Sequence, residues 1–234
     1  MGLEAYPNWF LFPEKFPEYV SGFSYSGNKS EVDAERMYCV YNKVLANGTY
    51  YRYNDYDGRV SDYFFDFDSR CLNKVHGNLH QISTFMMNTF TSSEVSLFSL
   101  KPIENFEQEI IRIESIKDFD WINNDFWKDK IYFYQVGFYS SKGNDSDAWK
   151  TAEEHAMFNL TVNFSSTVGS VSILSQNTDV NKNVVEDLEK VVAIRIDDVI
   201  MQDIELLKRY PDNDNQMYYV LIRINKADIY KRNK

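Results

Sequence analysis

Two stretches of the chain alternate apolar and small or polar residues with a period of two, and each is followed by a helical pattern. Tyr19 to Tyr25 and Ile131 to Tyr139 predict strands. Each run carries a Gly-Phe pair (Gly22-Phe23 and Gly137-Phe138) and reaches a Gly-Asn turn (Gly27-Asn28 and Gly143-Asn144). The offset is 115 residues at the first pair and 116 at the second, and the slip falls in the turn, where insertions are best tolerated. Helices are expected next, with Ser30 and Ser146 as their caps. In the first, Ala34, Met37, Tyr38, Tyr41, Val44 and Leu45 make one apolar stripe that Asn47-Gly48 ends. In the second, Ala148, Ala152, Ala156 and Leu160 recur every four residues, side chains small enough for a helix to lie close on a sheet.

The elements that follow are expected in a shared order. The first half continues with a strand near 49–54, a helix near 72–86 whose Leu72, Val75, Leu79, Ile82 and Met86 keep helical spacing, and strands near 94–100 and 109–116. The second continues with a strand near 167–174, a helix near 183–188, and strands near 191–200 and 217–224, with a turn at Pro211-Asp212-Asn213-Asp214. The predicted class is α+β: two tandem β-α-β-α-β-β units, residues 1–117 and 118–234, each a mostly antiparallel sheet packed by helices.

Composition narrows the partners. Apolar residues at 44% and charged residues at 26% describe a chain able to bury a core rather than a disordered one. A net charge of −10 repels a phosphate polyanion, so nucleic acid is not an expected partner. The basic residues Lys226, Lys231, Arg232 and Lys234 are read as a frayed terminus. No run approaches the roughly 18–20 apolar residues that span a bilayer. The opening MGLEAYPNWF lacks a basic and then apolar leader, as expected of a cytoplasmic start or of a mature chain behind a new Met-Gly. Cys39 and Cys71 are expected as two free, partly buried thiols, with a bridge between them as the alternative. Aromatic residues, at 16%, supply core and sheet faces first and a binding surface second.

Candidate chemistry is sparse. His76 and His80, four apart, would share a helix face and could hold zinc, but Gly77 stands where a zincin carries its general-base Glu. His155 lies in the other half. The acid pairs Asp55/Asp57 and Asp66/Asp68 offer oxygens to calcium, yet the first fails the EF-hand pattern at Tyr53 and Phe64. No phosphate loop, nucleophile elbow or Cys-x-x-Cys occurs in the sequence. The sequons at Asn47, Asn159 and Asn163 reflect an Asn-rich chain. No catalytic residue, cofactor site or metal ligand is therefore assigned.

Pro7-Asn8-Trp9, the Tyr-rich strand Tyr19 to Gly22 and the helix from Ala34 resemble the start of the twenty-kilodalton outer-membrane lipoprotein family. Tyr134 to Gly137 with Ala148, Ala152 and Ala156 resemble it again; Met37, Tyr38 and Tyr41 depart from it by size. Similar folds occur in lipoproteins that activate penicillin-binding proteins and in a flagellar ring protein. The resemblance implies a non-enzymatic cell-envelope protein, periplasmic or outer-membrane-associated, with a lipid anchor in its precursor and a protein partner met through strand edges or aromatic faces. Two other readings stand beside it: a metal-assisted hydrolase using His76 and His80, and a glycan binder using exposed Tyr and Trp.

Overall fold

The computed structural model describes residues 3–24, 29–52, 60–62, 65–88, 93–140, 145–167, 172–175 and 192–232. The chain opens with β1 (Ala5–Pro7) and the one-turn α1 (Asn8–Leu11), passes a 3-10 turn (Pro13–Lys15), and enters β2 (Tyr19–Ser24) and α2 (Ser30–Asn42). Strands β3 (Lys43–Arg52), β4 (Val60–Asp62) and β5 (Phe65–Phe67) lead to the short α3 (Ser69–Val75), then to β6 (His80–Asn88) and β7 (Ser93–Ser99). The middle holds β8 (Ile110–Arg112), 3-10 turns at Ile113–Ser115 and Asp120–Asn123, and β9 (Phe126–Lys128). The second half runs through β10 (Tyr132–Ser140), α4 (Asp145–Thr167), β11 (Ser172–Ser175), β12 (Val192–Gln202), β13 (Glu205–Asp212), β14 (Met217–Asn225) and β15 (Ile229–Lys231).

The fold is mixed α+β, with antiparallel pairing between the described strands. In the first half β7 lies between β2 and β6; in the second β14 lies between β10 and β13, with β9 added outside β10. Connection order and sheet order therefore match. The long strands β3 and β12 leave these sheets and pair with each other, from Lys43↔Gln202 to Arg52↔Val192, so residues 1–117 and 118–234 share a sheet. They also share a core, in which Phe10, Phe23 and Val95 pack in one cluster with Trp149, Leu160 and Val220.

Each half buries its helix on its sheet through a glycine. A Cβ on Gly22 would stand 2.6 Å from the Ala34 amide nitrogen and 2.8 Å from the Ala34 Cβ; one on Gly137 would stand 2.7 Å from the Ala156 Cβ, with the Ala152 carbonyl closer still. Small residues at 34, 152 and 156 are needed because the helix backbone rests on the strand. α4 extends further N-terminal of its glycine contact than α2 does, and on that stretch Trp149 packs against Tyr6, Phe10 and Tyr218 of other elements, at ring separations of 6.0, 5.2 and 4.6 Å.

Several expectations are corrected. α2 stops at Asn42 because Lys43 is already extended; Val44 and Ala46 are buried in β3 against β12, and Asn47-Gly48 lies inside that strand. The expected helix at 72–86 ends at Val75, and His80–Asn88 is a strand paired with β7. Met87 is buried there while Met86 is exposed, a period of two where 3.6 was read. β13 was not anticipated and includes Pro211 and Asp212, so the turn begins after them. Of the strand expected at 167–174, Thr167 belongs to α4 and Ser172–Ser175 form β11, while that at 109–116 is reduced to β8. Ser30 and Ser146 are not shown as caps: Lys29 precedes α2 with no side-chain bond, while Ser30 Oγ donates to Ser96 Oγ at 3.2 Å and Ser146 Oγ meets Ser93 Oγ. The basic C-terminal segment is ordered through Arg232, whose amide reaches the Asp198 carbonyl. The cysteines form a Cys39–Cys71 disulfide, tying α2 to α3 at a Cα separation of 5.7 Å, in place of free thiols. The expected Gly-Asn turns, the Asp55/Asp57 pair and the helix at 183–188 lie outside the described residues.

Replacing Gly137 or Gly22 by Ala is expected to lower the unfolding free energy by about 2–3 kcal/mol, since the methyl meets backbone that must shift. Gly77→Ala, at φ +69° with nothing within 4 Å, should cost only about 1 kcal/mol of backbone strain. Urea unfolding of the three variants checks the order.

Candidate functional site

Several of the residues that sequence reasoning singled out for chemistry hold structural bonds, and those given a common face are separated. His76 directly follows α3 and its exposed ring places Nδ1 3.0 Å from Glu35 Oε2, while Glu35 Oε1 accepts the Gly77 amide at 2.9 Å. His80 opens β6 opposite Ser99. The two histidines share no helix face, which removes the premise of the hydrolase reading. His155 is buried on α4, its Nδ1 2.9 Å from the Phe138 carbonyl oxygen. Asp68 caps α3 by accepting the Arg70 amide at 2.9 Å and binds the Arg70 guanidinium at 2.7 Å; these bonds hold its carboxyl down at about 2. Among the described residues no three His, Cys, Asp or Glu side chains are grouped to hold a metal ion.

The feature with the clearest outward character is one face of the β13-β14-β10-β9 sheet. Alternation sends Phe133, Gln135 and Gly137 toward α4, and Tyr132, Tyr134, Val136 and Phe138 the other way. Register then builds rows across the strands: Trp127, Tyr134 and Arg223; Val136 and Leu221; Phe138, Tyr219 and Tyr210. The Trp127 ring stacks on Tyr134 at 5.0 Å with planes 2° apart, and the Arg223 guanidinium stands 4.4 Å over Tyr132 while bonded to Glu205 at 2.6 Å. Trp121 covers Val136, Leu207 and Leu221, and Phe119 stacks on Tyr210 at 5.0 Å. Phe138 stays 42% exposed beside Tyr219. Asp129 orders one end, accepting the Ile131 and Tyr132 amides and the Tyr134 hydroxyl at 2.9 Å; the two amides lower its carboxyl. Burial raises the phenols of Tyr134, Tyr210 and Tyr219, so they remain protonated donors at neutral pH. Such a face offers ring surfaces and fixed hydroxyls, which suits a planar or apolar contact.

Beneath it, on the inner side, lies a buried ionic network that sequence reasoning missed. Arg209 of β13 and Glu153 of α4 are each 2% exposed and joined by bonds of 2.6 and 3.0 Å. Arg209 also donates to the Phe10 carbonyl at 2.8 Å and to Ser21 Oγ at 2.9 Å, with its guanidinium 4.3 Å over the Phe10 ring. Tyr41 donates to the second oxygen of Glu153 at 2.5 Å; burial, then the Glu153 charge, raises its phenol well above the usual range. Nearby, Lys150 of α4 binds buried Asp33 of α2 at 2.8 Å, and Asp33 also accepts the Phe23 amide at 3.0 Å. Arg36 reaches Glu154 at 3.3 Å. The charges are paired and bonded on both sides, so the network joins α1, β2, α2, α4 and β13 rather than presenting a reactive group. A signal existed in the sequence: Glu153 falls between Ala152 and Ala156 and Asp33 beside Ala34, charges on the faces that small residues mark as buried.

Comparison with protein families, with curated proteins and with solved structures found no match to this chain.

Arg209→Met alone should cost about 3–5 kcal/mol by leaving Glu153 buried and uncompensated, whereas Arg209→Met with Glu153→Leu should cost much less; denaturant unfolding compares them. A second expectation concerns pH. The hydrogen bond to Glu35 raises the His76 pKa above 6.5, so its contribution is full below that value and lost as pH rises through the folded-state pKa. By NMR titration His76 should ionise above 6.5, and Glu35→Gln should bring its midpoint down.

Proposed function

We propose that the chain is a non-catalytic binding protein of the bacterial cell envelope, periplasmic or outer-membrane-associated and lipid-anchored in its precursor. It docks a protein partner, within a larger assembly, through the outer face of the β13-β14-β10-β9 sheet. The observation that carries this reading is the set of aromatic rows on that face: Phe138 exposed beside half-buried Tyr219, with Trp127, Tyr132 and Tyr134 half-buried further along the strands. Tyr and Trp dominate binding hot spots because large, stiff rings lose little conformational entropy on contact.

Two further observations support the envelope location. The Cys39–Cys71 bridge is the form expected in an oxidising compartment such as the periplasm. The Pro7-Asn8-Trp9 phrase and the Gly137–Ala156 packing accord with the lipoprotein resemblance. The same reading takes the two halves as copies of one unit, on their matching strand order and their matching glycine contacts. Among the described residues no helix is long and apolar enough to cross a membrane.

The test is capture from envelope extract with the intact chain and with Phe138→Ser/Tyr219→Ser. The intact chain should retain a stoichiometric partner, and the variant should bind it at least about 30-fold more weakly, a loss of about 2 kcal/mol at a hot spot. Equal retention by both removes this face from the proposal; quenching of Trp fluorescence by peptidoglycan fragments would transfer it to a glycan.

A further inference from the structure

A cavity of about 270 Å³ opens between the Pro13–Lys15 turn, β2, the end of α2 and the β12–β13 turn. The rings of Phe16, Tyr19, Tyr38 and Tyr41 line it, all half-buried, and the carboxylate residues Glu14, Glu18 and Asp203 line it too, all exposed. Glu205 is also present but is bound to Arg223. No lysine or arginine lines the cavity among the described residues.

The walls are held in place before any ligand arrives. Tyr41 is anchored by its hydroxyl on Glu153, and Phe16 and Tyr19 pack with Phe106 in a cluster whose centroids lie 5.8–6.2 Å apart. The β12–β13 turn is clamped to the end of α2 by the Ile204 amide on the Tyr41 carbonyl at 2.8 Å and the Asp203 amide on the Asn42 carbonyl at 3.1 Å. Electron-rich ring faces combined with unpaired carboxylates at a rim attract a positive charge on an apolar stem. An anion would meet like charge, and a purely apolar group would gain nothing from the rim. The volume lies just under the roughly 300–1,000 Å³ of sites for whole small molecules, and matches a single side chain better. The chain uses the same pairing for its own cations, with Arg209 over Phe10 and Lys15 Nζ 4.6 Å from the Phe12 centroid.

We propose that this cavity binds the cationic end of a lysine or arginine side chain presented by an exposed segment of a protein partner. The site does not depend on the aromatic sheet face, so either can fail without the other.

The experiment titrates the full, isotopically labelled chain with tetralysine amide and, in parallel, with the same peptide acetylated on every Nε. Expected are NMR shift changes concentrated at Phe16, Tyr19, Tyr38, Tyr41 and Asp203 for tetralysine, and none for the acetylated peptide. Glu14→Gln/Glu18→Gln, two exposed positions that leave the unfolding midpoint in place, should weaken tetralysine binding at least about fivefold, and Tyr19→Leu should weaken it similarly. The proposal is overturned by equal shifts with the acetylated peptide. It is also overturned by tetralysine shifts spread over the acidic surface and unchanged in the Glu14→Gln/Glu18→Gln chain.

Discussion

The Arg209–Glu153 pair is the interaction on which the arrangement of this protein turns. A guanidinium and a carboxylate, each almost fully removed from water, are tolerated only when nearly every donor and acceptor finds a partner. Here the partners come from α1, β2 and α2 as well as from α4 and β13. Satisfying that one pair fixes where five elements stand relative to one another. A misplaced element would leave one of these charges buried without its partner, which is costly. With the Lys150–Asp33 bond beside it, the network holds helices from the two halves in a defined relation, while β3 and β12 join the halves at a sheet.

The glycine contacts set the other constraint. With no Cβ at Gly22 and Gly137, the helices sink onto their strands, and Ala34, Ala152 and Ala156 complete the close fit. The inner faces of both sheets are thereby consumed by packing. Among the described residues, two features keep aromatic surface toward solvent: the outward side of the second sheet and the hollow at the end of α2. The first carries stacked rings and ordered hydroxyls and suits an extended contact; the second adds carboxylates and suits a point contact with a cation. A partner with an apolar patch and a protruding basic residue fits this surface chemistry, and the overall charge of −10 favours its approach.

Much of the architecture was legible because it depends on local periodicity. The strands from Tyr19 and Ile131, the helices that follow, and the strands at 93–99, 192–202 and 217–225 declare themselves by alternation, small-residue spacing and turn chemistry. The α+β class follows from these. Two of the failures share one cause, which is that a short apolar set fits both periods until a neighbour chooses. Leu72 to Met86 satisfied helical spacing, yet β7 was available to pair with His80–Asn88, and the ladder prevailed. Val44 and Leu45 extended the α2 stripe on paper, but β12 drew them into a strand.

The sequence by itself determined which segments are amphipathic, where the helices must be thin, and that the surface is acidic and rich in rings, because each is a property of neighbours along the chain. Tertiary structure alone decided that Cys39 meets Cys71, that His76 serves Glu35 rather than His80, that Arg209 finds Glu153, and that rings from three segments line one cavity. The physical reason is range. These pairings join residues 32 to 56 positions apart, and Arg209 reaches Phe10 across 199, and their energies depend on desolvation and direction that exist only once the elements have packed.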